Sequence, residues 1–323
     1  MKQAKYKVVA NGPDITAAIR SRLLSLEITD NSGVDSDTVV IELDNREGKV
    51  KLPATGAELK VWIGFDDNLI FKGLYEVDEL EIPLDDDVFT IHAKAIKMKG
   101  SLKAPQDLTY DNITFGSLVD QIANRHGYEA KVAGELSAVT FPHIDQKSES
   151  DLNLLSRLAR ESGGFFKPVA NKLVIATKGS GRSVSGKTLP KVTISDSANT
   201  SGRVTIQKRS DYKSVIANWF DEVNQIEVQA VAGSGEPQYK VRRIHPDQEQ
   251  AQRAAEAKLK GFQRGQATMS FVRPLMPGLS PESKVTFENH HQVANKEWLI
   301  ESVNHKITNS GVSETSASAI IPT

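Results

Sequence analysis

A period-two alternation of apolar and polar residues recurs over residues 1 to about 103 and leaves little choice of secondary structure there. Leu24, Leu26 and Ile28 alternate with polar neighbours in RLLSLEITD, and TVVIELD, ELKVWIGF and FTIHAKAI carry the same pattern. Successive side chains of a strand point to opposite faces, so the pattern describes half-buried strands, and its β-branched residues suit a pleated surface. Turn residues separate the runs at Asn31-Ser32-Gly33, Asn45-Arg46-Glu47-Gly48, Pro53, Asp66-Asp67-Asn68 and Asp85-Asp86-Asp87. Short strands with such punctuation predict an all-β sandwich or barrel. The one helical element expected here is a short turn around Asp14 to Arg20.

The periodicity changes after Pro105. In TFGSLVDQIANRHGY, Phe115, Leu118, Val119, Ile122 and Ala123 fall on one helical face, with Thr114 placed to cap the start and Gly127 the end. A second helix is predicted in SESDLNLLSRLARESGG, with Leu152, Leu155, Leu158 and Ala159 as its stripe, Ser148 or Ser150 as cap and Gly163-Gly164 as stop. FFKPV and KLVIAT, split by Ala170-Asn171, then predict a hairpin. The segment KGSGRSVSGKTLPK that follows is poor in apolar residues and carries Lys178, Arg182, Lys187 and Lys191 without an acid, the composition of a connecting loop.

Beyond that loop the strand pattern returns in KVTISD, RVTIQKR, VIANWFD and QIEVQAVAG. A third helix is expected at about 247–262, with Pro246 in its first turn and Ala251, Ala254, Ala255, Leu259 and Phe262 on one face. The chain finishes in ATMSFVRP, KVTFEN, EWLIESVNHKI and ETSASAII. The reading is a mainly β (α+β) protein with three parts: 1–103, a first β domain; 104–185, a small α/β middle domain; and 186–323, a second β domain with one helix.

Charge and composition exclude several functions. Lys and Arg total 40 against 41 Asp and Glu, so the basic excess of a general nucleic-acid binder is missing. Cysteine is absent, which removes thiol nucleophiles, disulfides and thiolate metal sites together. No apolar run approaches the roughly 20 residues that span a bilayer, and MKQAKYKVVANGPD lacks the apolar core of a signal peptide. Synthesis and folding in the cytoplasm, without membrane insertion, are expected.

Four features could carry chemistry. GRSVSGKT at 181–188 fits the phosphate-binding pattern G-x-x-x-x-G-K-[ST], through Gly181, Gly186, Lys187 and Thr188. A phosphate cradle needs a helix directly after the loop, whereas Leu189-Pro190-Lys191-Val192-Thr193-Ile194 favours an extended chain, so the match is read as a decoy and no cofactor is expected. The histidines, at 92, 126, 143, 245, 290, 291 and 305, show no metal-ligand spacing, and no metal is expected. His143 and Asp145 could be imagined as half of a hydrolytic triad, but no nucleophile elbow accompanies them. Glu76, Asp78, Glu79, Glu81, Asp85, Asp86 and Asp87, with no base between them, read as a solvated acidic ridge. No catalytic residue is assigned.

Several stretches together resemble the late control D family, the baseplate hub proteins of contractile-tailed phages, which is related to the hub part of type VI secretion spike proteins. They are NGPDITAAIRSRLLSLEITDNSGVDSDTVVIELDN, LPATGAELKVWIG with FKGLYEVDELE, FPHIDQKSESDLNLLSRLARESG, MPGLSPESKVTFE and EWLIESVNHKI, in the family's order from about residue 8 to 318. The resemblance implies two tube-like β-barrel domains flanking the α/β insert, and a ring-shaped homotrimer with pseudo-sixfold symmetry. It implies a symmetry adapter between the hexameric tail tube and a trimeric central spike, located in the virion tail baseplate beside other baseplate proteins. Because the chain stops at AIIPT, the spike is expected to be a separate polypeptide. A tail-tip cell-wall hydrolase and a peptidoglycan-binding module centred on 114–164 are the alternative readings.

Overall fold

The computed structural model of the chain describes residues 3–323 apart from 34, 35, 47, 49, 52, 96–99, 170, 182–187, 190, 209 and 210. The first part contains β1 (Ala4–Ala10), the single-turn α1 (Thr16–Arg20), β2 (Leu23–Asn31), β3 (Thr38–Asp44), β4 (Glu58–Phe65), β5 (Asn68–Glu81) and β6 (Val88–Ala95). A 3₁₀ turn at Gly100–Lys103 leads to β7 (Pro105–Thr114), α2 (Phe115–His126), β8 (Glu129–Val132), the short α3 (Gly134–Ser137), β9 (Thr140–Ser150), α4 (Asp151–Glu161), β10 (Gly164–Val169) and β11 (Lys172–Thr177). The last part contains β12 (Val192–Ile194), β13 (Ser201–Ile206), β14 (Ser214–Asp221), β15 (Ile226–Gly233), β16 (Gln238–His245), α5 (Gln248–Arg264), β17 (Ala267–Pro274), β18 (Lys284–Phe287), β19 (Glu297–Thr308) and β20 (Ser313–Ile320). Strands dominate, and no described helix is long and apolar enough to cross a membrane.

The two β-rich ends share one sheet. Its main path runs β1-β4-β5-β6-β3-β2-β19-β20-β17-β13, with β12 and β18 attached through β19. Among the described residues this path is open, and it crosses between the ends where β2 pairs antiparallel with β19, from Ser302 opposite Asn31 to Thr308 opposite Ser25. One face of the sheet carries the core. Leu26, Ile28, Val39, Ile41, Val61, Phe89 and Ile91 bury it on the first side, and Met269, Phe271, Trp298, Ile300, Val303 and Ala319 on the second.

The alternation in the sequence has one misplaced phase. A register shift between Leu23 and Ser25 turns Leu23 inward, so Leu23 is buried and Leu24 is only half-buried.

The middle segment has its own core and its own sheet, β10-β11-β8, against which α2 and α4 pack. The Thr114 hydroxyl accepts the Ser117 N–H at the start of α2, and Gly127 ends the helix at φ 68°, a left-handed conformation that costs glycine little. Ser150, rather than Ser148, caps α4 by accepting the Asn153 N–H. The stripe of α4 holds the expected Leu155, Leu158 and Ala159, with Leu152 at its margin, and is widened by Asp151 and Leu154. Asp151, Leu154, Leu155, Leu158 and Ala159 are buried while Leu152 is only half-buried, because a buried carboxylate occupies the position that opens the face.

In the last part, β15-β14-β16 forms a separate sheet covered on one side by α5. Asp247 caps α5 through the Gln250 N–H, so Pro246 precedes the cap instead of lying in the first turn, and the helix runs on to Arg264. The Lys258 ammonium rests over the rings of Tyr239 and Phe262, its stem covering the apolar face as expected for a long amphipathic side chain.

Since the shared sheet joins both ends, damage at the crossing is felt by both. Leu26, 1% exposed, is expected on truncation in Leu26→Ala to lower stability by about 2–5 kcal/mol. Single-tryptophan variants retaining Trp62 on β4 or Trp298 on β19 are expected to report the same shift in denaturant midpoint.

Candidate functional site

Of the phosphate-loop residues, Gly181 is buried beside the Lys284 side chain and its carbonyl accepts the Leu189 N–H at 2.8 Å. Thr188 is exposed, and Gly186 and Lys187 lie outside the described residues. The next regular element is β12, which pairs parallel with β18. The geometry that gathers loop amides at a helix N-terminus is therefore not built from the described residues at this position.

The histidines occupy unrelated places. His92 and His143 sit on strands beside Glu81 (3.4 Å) and Asp111 (2.6 Å), and His143 Nε2 is 4.0 Å from Asp145. His305 is buried, which holds its pKa down to about 3, with the Lys72 ammonium adding to the effect. Among the described residues no three acidic or histidine side chains are grouped to hold a metal.

A constellation that sequence spacing did not suggest surrounds a second buried histidine, His126. His126 Nε2 lies 2.7 Å from Asp151 Oδ2 and its Nδ1 lies 2.8 Å from Ser101 Oγ. The carboxylate also takes Arg125 at 2.9 Å and the Gln146 amide at 2.8 Å, and Arg125 donates to Tyr110 Oη at 3.0 Å. A serine, a histidine and an aspartate meet here, with Asp151 completely buried at the first turn of α4 and accepting from three donors. The network ties the 3₁₀ turn, β7, α2, β9 and α4 together, which accounts for its burial. The one sequence signal was the pair Ser150-Asp151 at a helix start.

An extended polar surface is the face of the shared sheet opposite the core. The strand registers align Glu76, Glu79 and Glu81 on β5 with Lys94, His92 and Thr90 on β6, and these with Thr38, Val40 and Glu42 on β3. The band continues through Ser25, Glu27 and Thr29 on β2 to Thr308, Lys306 and Asn304 on β19, then to Glu314, Ser316 and Ser318 on β20. Ser270 and Val272 on β17 and Ser201, Arg203 and Thr205 on β13 complete it. Eight consecutive strands thus present small polar and charged side chains on one side. Lys94 meets Asp78 at 2.6 Å and Lys306 meets Glu27, yet carboxylates still outnumber cations across the band. The acids expected as a ridge split: Glu76 to Glu81 belong to this wall, while Asp85, Asp86 and Asp87 stand in the turn before β6.

At one end of the β2–β19 crossing, the middle segment inserts a lysine. Lys167 on β10 donates to Asp30 at 3.1 Å, to Asp37 at 2.8 Å and to the Asn31 carbonyl. Burial and the neighbouring Asp30 charge push the Asp37 carboxyl up to about 6, against the opposing pull of Lys167 and the Asn31 N–H. Lys72 and Tyr75 also face this cluster; burial lowers Lys72 to about 8 and raises Tyr75.

The fold is that of a long open sheet with one apolar and one polar face, joined to a separate α/β body. The sequence profile of the phage tail baseplate hub (GPD) family matches residues 106–311. The probable baseplate hub protein of Escherichia phage 186 is 31% identical over 350 residues, spanning 95% of this chain and 90% of that protein. The probable baseplate hub protein of Escherichia phage P2 is 32% identical over 349 residues, again spanning 95% and 90%. Among solved structures, the 43 kDa tail protein of prophage MuSo2 from Shewanella oneidensis superposes with a TM-score of 0.73 at 15% identity, covering 99% of this chain and 98% of that one. The chain belongs to the phage tail baseplate hub family.

Asp37 has a testable consequence for stability. Its pKa is higher folded than in the unfolded chain, so its favourable contribution is complete below about pH 3.8 and is lost as pH rises through about 6. Asp37→Asn is expected to stabilise the protein by on the order of 2 kcal/mol at pH 7.5, and to give only about a third of that gain at pH 4.5. Thermal unfolding of both proteins at the two pH values checks this.

Proposed function

We propose that this chain is the structural hub at the tip of a contractile tail or tailocin, where it acts as a symmetry adapter and carries no catalytic activity. Three copies form a ring in which each contributes two β-rich, tube-like ends, and the ring joins a hexameric tail tube on one face to a trimeric spike on the other. The observation that carries this reading is the mainly polar face that runs across eight strands, which suits the inner wall of a ring. Family membership and the relatives named as probable baseplate hub proteins support it.

Ring closure has a physical basis in the two borders of that wall. At one border β13 has β17 as its strand neighbour and exposes Ile206 at its end; at the other, residues 79–81 of β5 have β6 as theirs. Unpaired edges are an aggregation liability that closure removes. Arg203 on β13 faces the same side as Glu79 and Glu81 on β5, so one copy's β13 meeting the next copy's β5 brings opposite charges together. The acidic wall that results would repel passing DNA.

The expected mass by light scattering is three times the chain's 35.3 kDa. Arg203→Glu is expected to weaken the trimer by about tenfold in dissociation constant, and Glu81→Arg in the same chain to restore it. A monomer at high concentration for the unaltered protein, or a charge reversal without effect, would overturn the closure. For GRSVSGKT the reading is a connecting loop. Titration with ATP is expected to show no saturable binding, and Lys187→Ala to change nothing.

A further inference from the structure

The middle segment is attached to the rest of the molecule in an unusual way. Its apolar core draws only on residues between Leu102 and Ile175, and none of the other three apolar clusters includes a residue from it. Among the described residues, the side-chain hydrogen bonds and ion pairs seen to reach outward sit at three places. Lys167 enters the mouth of the turn after β2, through Asp30, Asp37 and the Asn31 carbonyl. On the other side of the crossing, Lys178 meets Glu301 at 3.3 Å, and the Gly179 N–H donates to the buried Glu282 carboxylate at 2.9 Å. The third place is Glu161 of α4, which accepts from Arg243 of β16 at 3.0 Å.

Two of these attachments straddle the crossing itself. Ser32, just past the end of β2, donates its N–H to the Glu301 carbonyl at 2.8 Å, so the Lys167 and Lys178 sites are joined through one backbone hydrogen bond. Lys167 and Asp37 are only 15% and 16% exposed, so this cation and its carboxylates have left most of their water behind. Such a pair adds little net stability when intact but is costly to break on one side, because the partner charge is left buried.

From this arrangement we infer that the α/β segment is a latched body, clipped across the β2–β19 crossing by Lys167 and Lys178, which swings away intact when the clip is broken. Apolar contacts fix orientation over a broad area and resist salt; a few charged contacts fix it at points and yield together. The separate core lets the segment keep its fold while detached, and the crossing keeps its own ladder of hydrogen bonds. The device rests on the geometry of this chain and does not depend on the hub reading.

Amide hydrogen exchange on the full chain tests it. In Lys167→Met, the amides of Asn31 and Ser32, bonded to Asp37 and Glu301, are expected to exchange at least about tenfold faster. Amides of α2, α4 and β19 should keep their protection. Unchanged exchange at 31 and 32 overturns the latch; loss of protection in α2 and α4 in step with 31 and 32 overturns the intact body. Should Lys167→Met fail to fold, the Asp30→Asn, Asp37→Asn double variant removes the opposing charges instead. The unaltered protein in 1 M salt, where screening shortens to about 3 Å, should show the same pattern more weakly. Because the chain has no cysteine, Asp120→Cys and Asn199→Cys can carry a pair of spin labels. Their distance distribution is expected to broaden in Lys167→Met, and an unaltered distribution counts against the latch.

Discussion

The shared sheet that joins the two β-rich ends depends on the pairing of β2 with β19. It joins residues 25–31 to residues 302–308, nearly the full length of the chain apart, and makes one sheet of two β-rich ends. Such a contact carries a large loop-closure cost, and it is offset by the cores on both sides of it rather than by the seven residue pairs alone. Leu26 and Ile28 bury one face of the crossing, and Ile307 of β19 packs into the same cluster. The polar face follows from this: once the apolar side chains of both ends are in phase, period-two geometry sends Glu27, Thr29, Asn304 and Lys306 to the opposite side in register.

Buried charge is used in two different ways. Around Asp151 every polar atom of the carboxylate is met by a donor from a neighbouring element of the same segment, so the network holds the α/β body together. Around Lys167 two carboxylates and a carbonyl compete for one ammonium across a boundary, and the displaced ionisation of Asp37 records that competition. The first arrangement is fully satisfied and specifies a unique fold. The second leaves a point at which pH, salt or a single substitution acts on how two bodies sit together.

Much of the architecture was legible in the residues. The strands of the first hundred positions, the helices capped by Thr114, Ser150 and Asp247, and the hairpin of β10 with β11 all follow from local rules of periodicity and capping. Errors arose where a tertiary feature shifted the local phase. The register shift after Leu23 exchanged Leu23 for Leu24, and the buried face of α4 takes in Asp151 and Leu154 beside the expected leucines, leaving Leu152 at its margin. The motif most visible in the sequence, GRSVSGKT, leads on to a strand, while the most elaborate polar cluster, Ser101 with His126 and Asp151, left almost no trace in spacing.

By itself, the sequence determined element types, the family and the absence of thiol chemistry, because these depend on residue identity and short-range period. Tertiary structure alone decided that the two β-rich ends share one sheet, that its polar side chains line up over eight strands, and that Lys167 lands between Asp30 and Asp37. Those are long-range pairings, and strand order is not encoded in the period of any one strand. Many strands here could pair with many others on alternation alone; the packing of Leu26, Ile28 and Ile307 selects the partner.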